Sequence, residues 1–383
     1  MPIDCPLPIL LRLPSWLGDL VAAEPIARAL HGALAAEGRA GALSLAGPEA
    51  LLPLFEGRFP GSPRLAHRGR GAENLAAFRG HGTALLLTGS LRSAWLAWRA
   101  GIPERIGLLR DGRGPLLTRG HRPARAAGRG IPLWPPRPAL PRPVGQAYAE
   151  LLPYLGLSLA DAEPRLELSP AAEQACLGRL QSLGLEPGQP YLLASVGGRP
   201  GSAKALDADR AAALLGPLGA ELGLPLVLTG APPEAAEVAA VAARLAARGQ
   251  PPRLAFGAGS STLPELIGLA RSAALFVGTD SGARHVARAA GAPTLALLGP
   301  MDGRHSAEHG RRERTLGLGL ECQPCGRERC PLSGAAERRC LRGFTPEDLL
   351  PAARELLALP RTRPRARGAP GLAPGAGAAP GAP

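Results

Sequence analysis

Aromatic residues make up only 3% of this 383-residue chain. No motif groups them as a platform for bases, which argues against nucleic acid as the partner of its positive charge, because unpaired bases are held largely by aromatic stacking. No apolar run approaches the roughly 20 residues that a membrane-spanning helix needs, and no secretory signal precedes the first strand-like segment. The expectation is a cytoplasmic protein. Lysine is nearly missing as well: of 44 Lys and Arg positions one, Lys204, is lysine. In a chain that writes its basic charge as arginine, a lone lysine points to a place where a compact ammonium serves better than a guanidinium fork. Chance retention of one lysine is the alternative.

What is present is a net charge of +13, from 44 basic against 31 acidic residues. It favours acidic partners, either an anionic membrane surface or a phosphorylated and carboxylated glycolipid. Arg92, Arg105, Arg113 and the cluster over residues 119–129 fall in the N-terminal half.

The most telling stretch is 273–300, AALFVGTDSGARHVARAAGAPTLALLGP. Two short apolar runs, 273–278 and 294–298, flank a helical segment over 282–290 that Gly291 and Pro293 stop, which makes a β-α-β unit. Thr279-Asp280-Ser281-Gly282 thus falls where a buried parallel strand meets a helix N-terminus, a place suited to anions. Ser281 could cap that helix, leaving Asp280 to accept hydrogen bonds from ligand hydroxyls with His285 about one turn further on. A plain Asp/Ser cap with a surface histidine fits the same spacing. Lys204 closes a Gly-rich segment, Ser195 to Lys204 with Gly198 and Ser202 inside it, directly after the strand-like 191–194. Such a loop suits a phosphate, although the spacing is not that of a Walker loop.

At the N-terminus a strand over 9–13 leads through Pro14-Ser15-Trp16-Leu17-Gly18-Asp19 into a helix over 20–31. Asp19 stands at a second strand-to-helix joint. Strand-loop-helix alternation over 9–168 and again over 191–298 predicts two doubly wound α/β halves facing across a cleft. The boundary falls near an amphipathic helix over 170–183, giving domains 1–170 and 171–358. Residues 359–383, rich in Pro, Gly, Ala and Arg, read as a disordered tail.

Leu13 to Asp19, Ser90 to Ala94, Pro103 to Gly107, the loop ending in Lys204, and Asp280-Ser281-Gly282 with His285 occur in one order. In this the chain resembles the bacterial lipopolysaccharide heptosyltransferases of glycosyltransferase family nine over about residues 7–358, leaning toward heptosyltransferase II. The resemblance implies a GT-B fold and metal-independent transfer of heptose from ADP-heptose to an inner-core heptose of lipopolysaccharide, with inversion. It also implies peripheral attachment at the inner leaflet of the inner membrane. By the same resemblance Asp19 is the general base, and Lys204 lies against the donor pyrophosphate in the loop with Gly198 and Ser202. Asp280, Ser281, Gly282 and His285 form the donor turn, and Glu234 matches loosely an acid on the ribose. Arg92, Arg105 and Arg113 lie where such an enzyme binds its acceptor. The chain departs from the pattern at Leu206, where the family carries Trp, and at Ser15, where Asn is usual.

Inversion with a nucleotide diphosphate leaving group needs one base and one stabiliser of charge, so no metal or other cofactor is required for catalysis. Cys322-x2-Cys325-x4-Cys330-x9-Cys340 could hold a structural zinc in a cytosolic protein; reduced structural thiols are the alternative. Other readings are a family relative with a different nucleotide sugar or acceptor, and a non-catalytic membrane-surface binding protein. The presence of Asp19, Lys204 and Asp280 together argues against the last.

Overall fold

The computed structural model describes residues 3–68, 72–122, 141–182, 184–186, 188–197, 201–256, 262–306, 310 and 312–360. The expected tail from residue 361 on, Gly198, and Arg125 and Arg129 of the arginine cluster over 119–129 therefore lie outside the described residues. The N-terminal half runs β1 (Ile9–Arg12), α1 (Leu17–Ala22), α2 (Glu24–Ala36), β2 (Leu43–Pro48), β3 (Arg64–His67), β4 (Thr83–Leu86), α3 (Leu91–Arg99), β5 (Glu104–Leu108), β6 (Arg119–His121) and α4 (Val144–Ala149). The C-terminal half begins with α5 (Pro170–Ser182), β7 (Leu192–Ser195), α6 (Ala208–Leu222), β8 (Leu226–Thr229), α7 (Ala235–Ala247), β9 (Leu254–Phe256) and α8 (Leu263–Ser272). It continues through β10 (Leu275–Thr279), α9 (Gly282–Ala289), β11 (Thr294–Leu297), α10 (Gly303–Ser306), β12 (Glu313–Leu316), α11 (Arg339–Arg342) and α12 (Pro346–Ala358).

Each half is a six-stranded sheet, β3-β2-β1-β4-β5-β6 and β12-β11-β10-β7-β8-β9, and every described pairing is parallel. Both follow the doubly wound order, whose switch point lies between β1 and β4 in one sheet and between β7 and β10 in the other. In the first, Ile9 pairs with both Leu43 and Thr83; in the second, Val277 pairs with Ala194 and Leu295. The central strands β1, β4, β7, β10 and β11 are buried at every position, because helices cover both faces of a parallel sheet. Among the described residues no helix is long and apolar enough to cross a membrane.

The expected helix over 20–31 is two helices. α1 starts at Leu17 and ends at Ala22, and α2 restarts at Glu24 with Pro25 in its first turn. Proline has no N–H to give an interior helix bond but costs nothing in a first turn, so the chain breaks ahead of it. Wholly buried Glu24 then fixes the joint: it accepts from Arg28 Nε at 3.1 Å, Arg58 at 2.5 Å and the Arg165 N–H at 3.0 Å.

The largest apolar core is shared between the halves. Leu20, Val21 and Leu30 belong to the same cluster as Ile267, Val286 and Ala287. α1 packs directly on α9, and two glycines permit the approach. A Cβ on Gly282 would lie 2.8 Å from the Leu17 Cβ, and one on Gly18 would lie 2.7 Å from His285 Cδ2.

Candidate active site

The two rows of strand ends face a cleft of about 2000 Å³ lined from both halves. From the N-terminal half come Trp16, Gly18, Asp19, Leu51, Arg110 and Arg142; from the C-terminal half come Ser202, Lys204, Glu234, Asp280, Ser281 and His285. The start of α1 at Leu17 puts Asp19 in its first turn, where the helix dipole favours a carboxylate. Burial raises the proton affinity of Asp19 above its ordinary value, and the positive charge of Lys204, from the opposite half, pulls it back. Tyr148 of α4 is buried close by, its proton affinity raised by burial and then by Asp19.

Lys204 follows β7 on a loop that is braced by the segment after β12. Its N–H donates to Ser202 Oγ at 3.2 Å, Ala203 N–H to the Glu328 carbonyl at 2.8 Å, and Arg338 to the Ala205 carbonyl at 3.2 Å. Leu206, at the position where the resemblance leads one to expect Trp, is a core residue. Glu234 lines the cleft, and its Oε2 accepts the Ala231 N–H at 2.8 Å, holding the turn after β8.

Ser281 is the N-cap of α9 but its hydroxyl does not cap the helix. Instead the Oγ atoms of Ser281 and Ser195 are buried without a hydrogen-bond partner. Gly197 leaves the space beside them open, since a Cβ there would sit 2.8 Å from Ser281 Oγ and 3.2 Å from Ser195 Oγ. Two hydroxyls without partners, next to the first N–H groups of a helix, form a niche that an anionic oxygen would satisfy.

Asp280 is 6% exposed and is gripped by a residue that the sequence reading passed over. Arg284, wholly buried, donates to Asp280 Oδ1 at 2.6 Å and to Glu313 Oε1 at 2.8 Å. Burial opposes the charge on Arg284, but Glu313 and then Asp280 outweigh it and raise its proton affinity. His285 has its Nε2 3.9 Å from Asp280 Oδ1. Burial, and next the charge of Arg284, push its pKa down to about 3, so the ring faces the cleft neutral. The signal for Arg284 was available as an i,i+4 Asp–Arg pair across the helix start; nothing in the sequence joins it to Glu313 on β12.

The acceptor arginines need correction. Arg113 is wholly buried, with Nε donating to the Leu108 carbonyl at 2.7 Å and a second nitrogen donating to the Thr88 carbonyl. Arg105 donates to the carbonyls of Leu116 at 2.7 Å and Ile102 at 2.5 Å. Both clamp the loops around β5 through donors placed on backbone oxygens, while the Nη2 of Arg113 is buried without a partner. Arg92 stands partly buried near Arg12 and outside the cleft lining. The guanidinium groups that do line the cleft are Arg110, paired with exposed Asp111 at 3.0 Å, Arg142, paired with Glu150, and Arg327.

The four-cysteine segment packs against the Lys204 loop through Glu328 and Arg338, and its residues 326–328 reach the cleft. Cys322 and Cys325 are exposed, Cys330 is half-buried with its sulfur accepting the Arg338 N–H at 3.3 Å, and Cys340 is buried. Burial raises the Cys340 thiol, and the other three cysteines raise it further. They sense one another, yet among the described residues no three His, Cys, Asp or Glu side chains gather as a group that could hold a metal ion.

Two doubly wound sheets facing across a cleft that draws residues from both make the GT-B architecture. Within it, this chain belongs to glycosyltransferase family 9 (heptosyltransferase), whose sequence profile matches residues 78–336. A family 9 glycosyltransferase from Veillonella parvula is 20% identical with a TM-score of 0.69 over 91% of this chain and 96% of that one. The Escherichia coli ADP-heptose lipopolysaccharide heptosyltransferase II is 21% identical, TM-score 0.66, over 91% and 98%. An E. coli heptosyltransferase solved with ADP is 15% identical, TM-score 0.63, over 91% and 99%. No curated protein sequence matches the chain.

Proposed function

We propose that this protein transfers heptose from ADP-heptose to an inner-core heptose of lipopolysaccharide, with inversion at the anomeric carbon and without a metal ion, at the cytoplasmic face of the inner membrane. The observation that carries the reading is the meeting of Asp19 and Lys204, from opposite halves, in one cleft that also receives the N-terminus of α9.

In the proposed reaction the acceptor hydroxyl gives its proton to the Asp19 carboxylate as its oxygen bonds to the anomeric carbon. The bond from that carbon to the β-phosphate oxygen breaks, and ADP leaves with the electron pair. A carboxylate whose proton affinity is raised by burial is a better base than one in water, and the charge of Lys204 offsets part of that rise. On the other side, charge builds on the diphosphate. Lys204, the first N–H groups of α9 and the hydroxyls of Ser195 and Ser281 are placed to receive it, so the scheme needs no cation. Neutral His285 donates or accepts a hydrogen bond without adding charge, and Asp280, held by Arg284, presents its carboxylate to donor hydroxyls. Glu234 contacts the ribose. The acceptor lies against Arg110 and Arg142.

The test is incubation with ADP-heptose and truncated inner-core acceptors, read by mass spectrometry with a chelator present. The expected product is heavier by one heptose, with ADP released in equal amount. Transfer only from another nucleotide sugar would replace the donor, and loss of activity with the chelator would overturn the metal-free scheme.

A further inference from the structure

The nine residues of α3 read LRSAWLAWR. Ser93, Ala94, Leu96 and Ala97 are buried, the last three in the cluster formed with Phe78, Ala84 and Leu86. The opposite face carries Leu91, Trp95 and Trp98, which are 50%, 43% and 50% exposed. Positions i, i+4 and i+7 lie on one side of a helix, so these three side chains form a continuous apolar strip. Single exposed apolar residues need no explanation, but an adjoining set with two indoles does. Along the chain the flanking charge has one sign: from residue 74 to residue 103 there are Arg79, Arg92 and Arg99 and no acidic residue. The helix is capped by Ser90, whose Oγ accepts the Ser93 N–H at 3.3 Å. Just before it, Gly89 approaches Arg110 of the cleft wall so closely that a Cβ would lie 2.9 Å from Nε.

We propose that the outer face of α3 is the surface by which this protein docks on an anionic lipid bilayer, with Leu91, Trp95 and Trp98 at headgroup depth. Tryptophan favours that depth because its ring is apolar and its N–H is polar. Arginines flanking an apolar strip add attraction to anionic headgroups. A second copy of the chain fits less well, since a two-fold contact through this strip would bring Arg92 and Arg99 against their own counterparts. Docking here sets the start of α3, and with it the Arg110 side of the cleft, next to the membrane that holds a lipid-linked acceptor. The placement of the acceptor rests on the function proposed above; the docking itself does not.

The experiment is co-sedimentation of the full chain with phosphatidylethanolamine–phosphatidylglycerol vesicles and with phosphatidylcholine vesicles. Wild type should partition to the anionic vesicles, and Trp95→Ala/Trp98→Ala should reduce that partitioning about tenfold or more. Arg99→Glu should weaken it at low salt. The double variant should melt like wild type and keep its transfer to a delipidated acceptor, while losing transfer to a vesicle-embedded one. Vesicle binding equal to wild type in the double variant, or none by wild type, overturns the proposal. So does a wild-type dimer that the double variant abolishes, which would give the strip to a second copy. Absence of heptose transfer by wild type, with vesicle binding intact, would instead overturn the proposed reaction and leave the docking face standing.

Discussion

Asp19 and Arg284 carry opposite burdens. Asp19→Asn keeps the shape of a base but cannot take a proton, so turnover should fall by about 10²–10⁴-fold with donor affinity little changed. Because burial raises Asp19 above its ordinary 3.8, the acid limb of kcat/KM should lie above that value. The linkage has a definite sign. A carboxyl raised on folding favours the folded state at low pH, and this advantage is lost as pH rises through the folded value. At neutral pH the ionised side chain is a cost, so Asp19→Asn should not lower the melting temperature; a clear drop would mean that the carboxylate is structural. Arg284→Met removes the buried cation that Asp280 and Glu313 share and leaves Arg288, 3.7 Å from Glu313, as a weaker neighbour, for which a loss of about 3–5 kcal/mol in chemical denaturation is expected. A loss under about 1 kcal/mol, the range of exposed pairs, would mean that water already reaches them. That Asp19, Lys204 and the Asp280 turn would face one cleft was legible from the loops and turns that follow their strands. Arg105 and Arg113 were misread because a chain that writes nearly all its basic charge as arginine offers no contrast between a solvated guanidinium and one folded onto carbonyls.

At the scale of elements, α1 and α9 meet through Gly18 and Gly282, where an added methyl has no room. Gly282→Ala should push Leu17 away, at a cost of about 1–3 kcal/mol for overpacking, and lower kcat/KM by separating Asp19 from the donor turn. Unchanged kinetics would show that the joint gives without moving the site. The cysteine segment makes a different prediction. Titrated with a thiol reagent, Cys322 and Cys325 should react first and buried Cys340 last, and because the segment braces the Lys204 loop, donor affinity should fall as the reaction proceeds. Joint protection of all four thiols, released with about one equivalent of zinc, would reveal a closed tetrathiolate site instead. The β-α-β unit over 273–300 was read within a residue or two at each end, since hydrophobic run length and the stop at Gly291 and Pro293 are local signals. The break between α1 and α2 was missed because the apolar period continues through Ala23, and the decisive cue was one proline.

For the molecule as a whole, the shared core decides how the halves behave. Leu20 and Val21 lie in one buried cluster with Val286 and Ala287, so the two sheets should unfold together, giving one calorimetric transition whose measured and van't Hoff enthalpies agree. Two resolved transitions would mean that the joint contributes little. The double winding was legible from alternation alone, whereas the continuity of the core was not, because it depends on contacts between residues more than 200 positions apart, such as Leu17 with Gly282. The scarcity of lysine now has a practical meaning. Lys204 is the chain's one ε-amine and it lines the cleft, so an amine-directed mass tag has one side chain to find. Without mutation or added probe, the protein thus holds a built-in chemical reporter at its centre, whose tagging rate, followed peptide by peptide, measures directly how often the cleft is filled.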